Sequence, residues 1–204
     1  AVLSGDPLFM EFARLDDKAK KIKRAKKTFE SERQNNETLY NKIKSNIPNI
    51  KNEISQMEAD SKKVASYGLE ENGRIKITPI DWKEKIENTK DLGQAVIDKK
   101  LLVLKKPVGQ EVYLGNVNGL ELFGMLISKQ NGDMEVDLHF RGQHLYLVTS
   151  SVDPTAQGTA INATINKIES LIEKRKEDLD RSEKNLVKYK ELSQGVWGKQ
   201  DEYD

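Results

Sequence analysis

The sequence predicts an α+β protein. A long antiparallel coiled-coil hairpin, made by the N- and C-terminal helices, carries an inserted small α+β head containing an antiparallel sheet. Three observations predict it. Alternate steps of three and four residues from Phe12 reach Leu15, Ala19, Ile22, Phe29, Tyr40, Ile43, Ile47, Ile50, Ile54, Met57 and Val64, interrupted only at Lys26, Arg33, Asn36 and Ser61. That spacing lays one narrow apolar stripe along a helix, and only a partner helix buries such a stripe. The same step recurs through Ile161, Ile165, Ile168, Ile172, Arg175, Leu179, Ser182, Leu186, Tyr189, Ser193 and Val196. Between the two, Gly- and Asn-bearing turns separate short alternating runs, the pattern of hairpins. The expected organisation is residues 1–68 as a heptad helix kinked near Pro48, 69–153 as the head, and 154–204 as the second heptad helix and its tail.

Composition agrees with long solvated helices. Of 204 residues, 36% are hydrophobic and 33% charged, with Lys plus Arg (34) balancing Asp plus Glu (33). Bulk charge therefore marks neither a dedicated nucleic-acid binder nor an acidic tail. The chain has no cysteine, which removes disulfides, thiolate nucleophiles and Cys-based metal sites and fits a cytoplasmic setting. The longest apolar runs, Leu101 to Leu104 and Leu145 to Val148, fall far below the roughly 18 residues of a membrane span, so no membrane partner is expected. The start, Ala1-Val2-Leu3-Ser4-Gly5-Asp6-Pro7, lacks the basic and apolar regions of a signal peptide, and its missing initiator Met reads as a segment of something longer.

Element by element, Asp6 is the expected N-cap of the first helix, with Pro7 in its first turn, where a missing N–H costs nothing. Gly68 is the expected stop. Pro48 removes a backbone donor, so Ser45 to Pro48 should kink the helix or break it with Ser45 or Asn46 recapping; Ile47 and Ile50 stay in phase, which favours a kink. Arg74 to Ile77 alternates like a short strand. Thr78-Pro79 should then cap a helix carrying Ile80, Trp82, Ile86, Leu92, Val96 and Ile97, and Leu101 to Leu104 either extends it or opens a strand. From Gln110 a meander is expected, with turns at 116–119, 131–133 and 141–143 between the runs 120–129, 134–140 and 144–150. Met134, Val136, Leu138 and Phe140 alternate with Glu135, Asp137 and His139, a strand with one wet face. Asp153 to Gly158 leads into the last helix, expected to run to about Gln194 before Gly195 ends it.

Chemistry is sparse. Gly115-Asn-Val-Asn-Gly119 is the nearest approach to a phosphate loop, but it lacks the following Lys-Ser/Thr and reads as a hairpin turn. Asp137, His139 and His144 are the one place where metal ligands or a general base could converge; no third strong ligand or activated nucleophile accompanies them, so no catalytic residue, metal or cofactor is assigned to this chain. Lys18, Lys20, Lys21, Lys23, Arg24, Lys26 and Lys27 form a basic run suited to phosphate contacts with DNA; the alternative is a solvated helix flank on which Asp16 and Asp17 pair with Lys20 and Lys21. Antiparallel pairing of Val64 with Ile161 places Met57 near Ile168, Ile47 near Leu179, Tyr40 near Leu186 and Phe29 near Val196. Residues 8–28 would then extend past their partner, so their seam would be covered by further sequence or by a second copy in a homodimer.

A resemblance adds to this reading. Ser4-Gly5-Asp6-Pro7-Leu8 before a basic heptad helix, then Ile47-Pro48-x-Ile50, Ile54 and Met57-Glu58-x-Asp60, then a β-rich insert, then Asp153 to Gly158 leading to Ile161, Asn162, Ile165 and Asn166, resembles the C-terminal region of very large helicase and DNA-methyltransferase proteins of phages, plasmids and integrative elements. The resemblance implies a non-catalytic accessory domain downstream of an ATP-dependent Swi/Snf-type helicase core, with DNA and that core as partners. It carries no catalytic residue onto this chain. Thr159-Ala160, Ala163-Thr164 and Val196-Trp197-Gly198 depart from the family pattern, which continues with another helix.

Overall fold

Helix α1 (Pro7–Ala65) opens the computed structural model, which describes residues 7–198. The expected Asp6 cap and the turn before it lie outside the described residues. Helix α1 passes Pro48 without a new start: the Ser45 hydroxyl donates back to the Lys42 carbonyl at 2.9 Å instead of capping a second helix. Gly68, at φ +99°, ends it, its N–H donating to Ala65 O. There follow β1 (Pro79–Ile80), α2 (Thr89–Val103), β2 (Glu111–Val117), β3 (Leu120–Ser128), β4 (Met134–Arg141), β5 (Leu145–Val148), α3 (Pro154–Asn166) and α4 (Ile168–Gln194). The class is α+β, and the strands form an antiparallel meander in the order β1-β2-β3-β4-β5. No helix among the described residues is long and apolar enough to cross a membrane.

The chain divides into two compact units, 50–177 and 1–49 with 178–204. In the unit 50–177 one face of the sheet is buried by Leu114, Leu122, Leu126, Leu138, Phe140 and Val148, and its helices add Met57, Val64, Leu92, Val96, Ile161 and Ile165 to the core. Helices α2 and α3 approach backbone to backbone. A Cβ on Gly93 would lie 1.8 Å from Pro154 O, and one on Gly158 would lie 1.9 Å from Thr89 O. Asn118 and Gly119, at φ 51° and 77°, make the two-residue β2–β3 turn. The buried Asn118 side chain accepts from Thr78 N at 2.8 Å and donates to Lys76 O at 2.7 Å, docking the segment before β1.

Three expectations are corrected here. The helix expected from Ile80 begins instead at Thr89: Pro79 and Ile80 pair with Val117 and Asn116, Asp81 adopts φ 60°, and Asn88 is the true N-cap, accepting from Asp91 N at 3.0 Å. Leu101 to Val103 continue that helix, with Leu104 as its C-cap. The strand expected over 74–77 shrinks to a single bridge between Leu69 and Ile75. The last helix is interrupted at Lys167. There Asn166 donates back to Asn162 O at 3.1 Å while accepting from Ile75 N at 2.9 Å, so side-chain bonds compete with the helical ladder.

In the other unit, the shielded positions of α1 from Lys21 to Asn49 are Ile22, Lys26, Phe29, Asn36, Tyr40, Ile43 and Ile47, a subset of the stripe read from sequence. The ring of Phe29 lies 4.0 Å from the Cβ position of Gly195, and Lys26 Nζ sits 5.7 Å from the Trp197 ring centre. A groove lined by Arg33, Glu37, Tyr40 and Asn41 also takes in Lys190, Ser193 and Gln194. Residues 26–41 of α1 thus lie against residues 190–197, the end of α4 and the three residues after it. Val196, expected on the seam, is 87% exposed; Gly195 and Trp197 are the shielded neighbours.

Candidate functional site

Two surfaces carry side chains free to act on something else. The first is the early part of α1. Lys18, Lys20, Lys21, Lys23, Arg24 and Lys27 are exposed, and Lys26 is half-buried near Trp197. Asp16 holds Lys20 at 2.7 Å and Asp17 holds Lys21 at 2.8 Å, the i,i+4 pairs a helix brings together. Those hydrogen bonds keep both ammonium groups above their ordinary pKa and the Asp17 carboxyl below its own. Lys18, Lys23, Arg24 and Lys27 have no ion pair among the described residues. Ahead of the run, Phe9, Met10, Phe12 and Leu15 are 51%, 62%, 70% and 53% exposed.

The second surface is the outer face of the sheet, built by cross-strand register. Tyr113 pairs with Phe123, Phe123 with His139, and His139 with Leu147, so one rung crosses four strands. The rings interact in sequence: Tyr113 meets Phe123 edge-on at 5.7 Å, and Phe123 stacks on His139 at 5.8 Å. The Arg141 guanidinium lies 4.5 Å from the Phe123 ring centre and donates to Glu111 Oε1 at 2.5 Å. That bond, outweighing desolvation, holds the Glu111 carboxyl below the usual carboxylate range. His139 Nε2 is 3.1 Å from the same oxygen but off hydrogen-bond geometry, so this buried nitrogen lacks a hydrogen-bond partner among the described residues. Desolvation first, then the fields of Asp81 and Glu121, push the Tyr113 phenol up.

Comparison with protein-family models, curated proteins and solved structures finds no match to this chain. The two surfaces are therefore read on their chemistry alone.

The structure does not assemble Asp137, His139 and His144. Asp137 and His139 share the outer face, whereas the His144 ring packs edge-on against Tyr146 at 5.1 Å and the His144 backbone N–H donates to Asp60. No group of three His, Cys, Asp or Glu able to hold a metal occurs among the described residues. His139 is also not the wet residue that alternation suggested. It is 4% exposed beneath Phe123. Gly115 to Gly119 lies in the β2–β3 hairpin, not at a helix start.

Sequence reasoning passed over two polar clusters. Asp60, 2% exposed, accepts from Gln143 N at 2.7 Å, His144 N at 2.8 Å and the Tyr146 hydroxyl at 3.0 Å, fastening α1 to the β4–β5 turn. Lys100 donates to Ser150 Oγ, Ser151 O and the buried Gln157 Oε1, and desolvation pushes its pKa down. The aromatic rung left one signal. In β3 the outward residues Phe123, Met125 and Ile127 are apolar as well as the inward ones, which breaks the alternation of a sheet with a plain wet face.

Proposed function

We propose that this chain is a non-catalytic interaction module whose basic α1 segment contacts DNA phosphates, and that it serves as the C-terminal accessory domain of an ATP-dependent helicase of a mobile element. The observation that carries the DNA contact is the placement of Lys18, Lys20, Lys21, Lys23, Arg24 and Lys27 on an exposed stretch of helix, where Asp16 and Asp17 engage Lys20 and Lys21 and leave a net excess of cations. Cations already placed on one helix meet phosphates with little backbone ordering cost and release counterions on binding. In this reading α1 and α4 pair as an antiparallel coiled-coil hairpin, with the α+β head inserted between them in sequence. Shielding of Ile22, Phe29, Tyr40 and Ile43 on α1, and of Leu179, Ser182, Leu186 and Tyr189 on α4, supports it.

The test is binding to a labelled 20-mer oligodeoxynucleotide, single- and double-stranded, across a salt series. Binding at low salt should weaken as salt rises, with a log–log slope of about 3 on the single strand and about 4 on the duplex if four phosphates are met, and should vanish when Lys20, Lys21, Lys23 and Arg24 are all changed to Glu. No binding at low ionic strength, or binding indifferent to that variant, overturns the DNA role. Helicase motifs in the reading frame immediately upstream of Ala1 would support the parent assignment; an initiator codon there would overturn it.

A second reading is favoured by Phe9, Met10, Phe12 and Leu15, whose exposure leaves the seam open ahead of the basic run. Here the chain is a scaffold that dimerises through that seam and binds protein. Sedimentation decides: a monomer at tens of micromolar removes it, and a dimer dissolved by Phe12→Lys supports it.

A further inference from the structure

The outer face of the sheet carries chemistry that the DNA reading leaves unused. Its central rung, Tyr113, Phe123, His139 and Leu147, spans three strand intervals, about 14 Å. Its ends are open: Tyr113 is 46% and Leu147 71% exposed. The flanking rungs are charged. On one side Glu111, Met125 and Asp137 are paired in register; on the other, Glu121, Arg141 and Leu145. The carboxylates are not equivalent. Glu111 is committed to Arg141, and Glu135 farther along β4 to Lys129. Glu121 and Asp137 have no ion pair among the described residues, and they lie on opposite sides of the rung. Asp81 adds a third negative charge near Tyr113, where its field is felt by the phenol.

We propose that this face docks a segment of a partner protein in which leucine or aromatic side chains alternate with lysines or arginines. The apolar side chains lie along the rung, and the basic ones reach Glu121 on one side and Asp137 on the other. An aromatic strip rimmed by acids takes apolar side chains against its rings and cations on its carboxylates. The same acids repel phosphate, so nucleic acid is not the occupant even though aromatic sheet faces elsewhere stack bases. The proposal stands apart from the basic run on α1, and the two fail separately.

The experiment selects a displayed random dodecapeptide library on the full chain, then measures synthetic copies of the winners by fluorescence anisotropy. Enriched peptides should be basic with leucine or aromatic residues. Their affinity should fall about tenfold or more on Leu147→Ser or on Glu121→Lys with Asp137→Lys, a loss typical of a central contact. In the unmodified protein, the peptide should shift the Phe123 and His139 ring resonances, which guards against a variant that simply misfolds. No enrichment over a protein-free selection, acidic winners, or winners that leave those ring resonances unmoved would overturn the proposal. So would a single-stranded oligonucleotide that shifts the same resonances in the variant lacking Lys20, Lys21, Lys23 and Arg24, since that would make nucleic acid the occupant.

Discussion

Asp60 shows how one residue can hold two parts of a fold together. Its carboxylate is withdrawn from water and satisfied by two backbone N–H groups and the Tyr146 hydroxyl. Removing it strands three donors, two part-buried backbone N–H groups and the buried Tyr146 hydroxyl, each costing on the order of 1 kcal/mol, so Asp60→Ala should destabilise by about 3 kcal/mol in urea unfolding. Tyr146→Phe, which removes one donor, should cost only about 1 kcal/mol. Equal effects for the two variants would show that the backbone contacts contribute nothing. Sequence could not single out Asp60, because its partners lie more than 80 residues away. Glu111 makes a prediction in pH. Arg141 favours its ionised form in the folded state, so the folded pKa lies below the unfolded one. Its contribution is complete above the unfolded pKa and is lost as pH falls through the lowered folded value. Arg141→Gln should raise the Glu111 pKa toward the ordinary range, read by carboxyl carbon NMR; an unchanged midpoint would mean that Arg141 is not the cause.

At the scale of elements, what was legible followed from local periodicity and what was not followed from distant partners. The stripe from Ile22 to Val64 and the turns around Asn118-Gly119, Gly132 and Gly142 needed only spacing and turn chemistry, and the meander appears in the expected order. The helix expected from Ile80 failed because Ile80 is claimed by the sheet edge through Asn116, and Trp82 is pinned by its indole donating to Asn116 O at 2.8 Å with Lys99 stacked 4.0 Å from its ring centre. Apolar spacing alone cannot register a competing strand. The α2–α3 contact was equally hidden, since a glycine in a helix reads only as a weak helix former. Its reason is the crossing itself. A methyl group at Gly158 would meet the Thr89 carbonyl, which is backbone and cannot rotate away. Gly158→Ala should therefore cost about 3 kcal/mol, the upper end for overpacking, by forcing the helices apart. Urea unfolding checks this, and a near-neutral result would mean that the two helices separate freely.

Across the whole molecule, burial is unevenly shared between the two units. Among the described residues every fully buried one lies between Ile50 and Ile172. The unit 50–177 has a sheet, covering helices and buried polar side chains such as Asp60, Asn118 and Gln157 that are hydrogen-bonded. The unit of 7–49 with 178–198 offers only half-shielded seam residues, interrupted by Lys26, Asn36 and Ser182. A unit with burial that shallow gains little from apolar contact, and hydrogen bonds facing water open readily. The heptad pattern was readable because it is repeated, but its depth was not: spacing says which face turns inward and nothing of how completely it is covered. Opening free energies should differ accordingly. Amide hydrogen exchange followed by mass spectrometry should find residues 7–49 and 178–194 exchanging at least about a hundredfold faster than β3 and β4, because their shallow burial leaves little to hold them closed. Exchange should also slow in 7–49 when an oligodeoxynucleotide is added, if phosphates clamp the basic run. Equal protection of the two units in the free protein would instead mean that they unfold together.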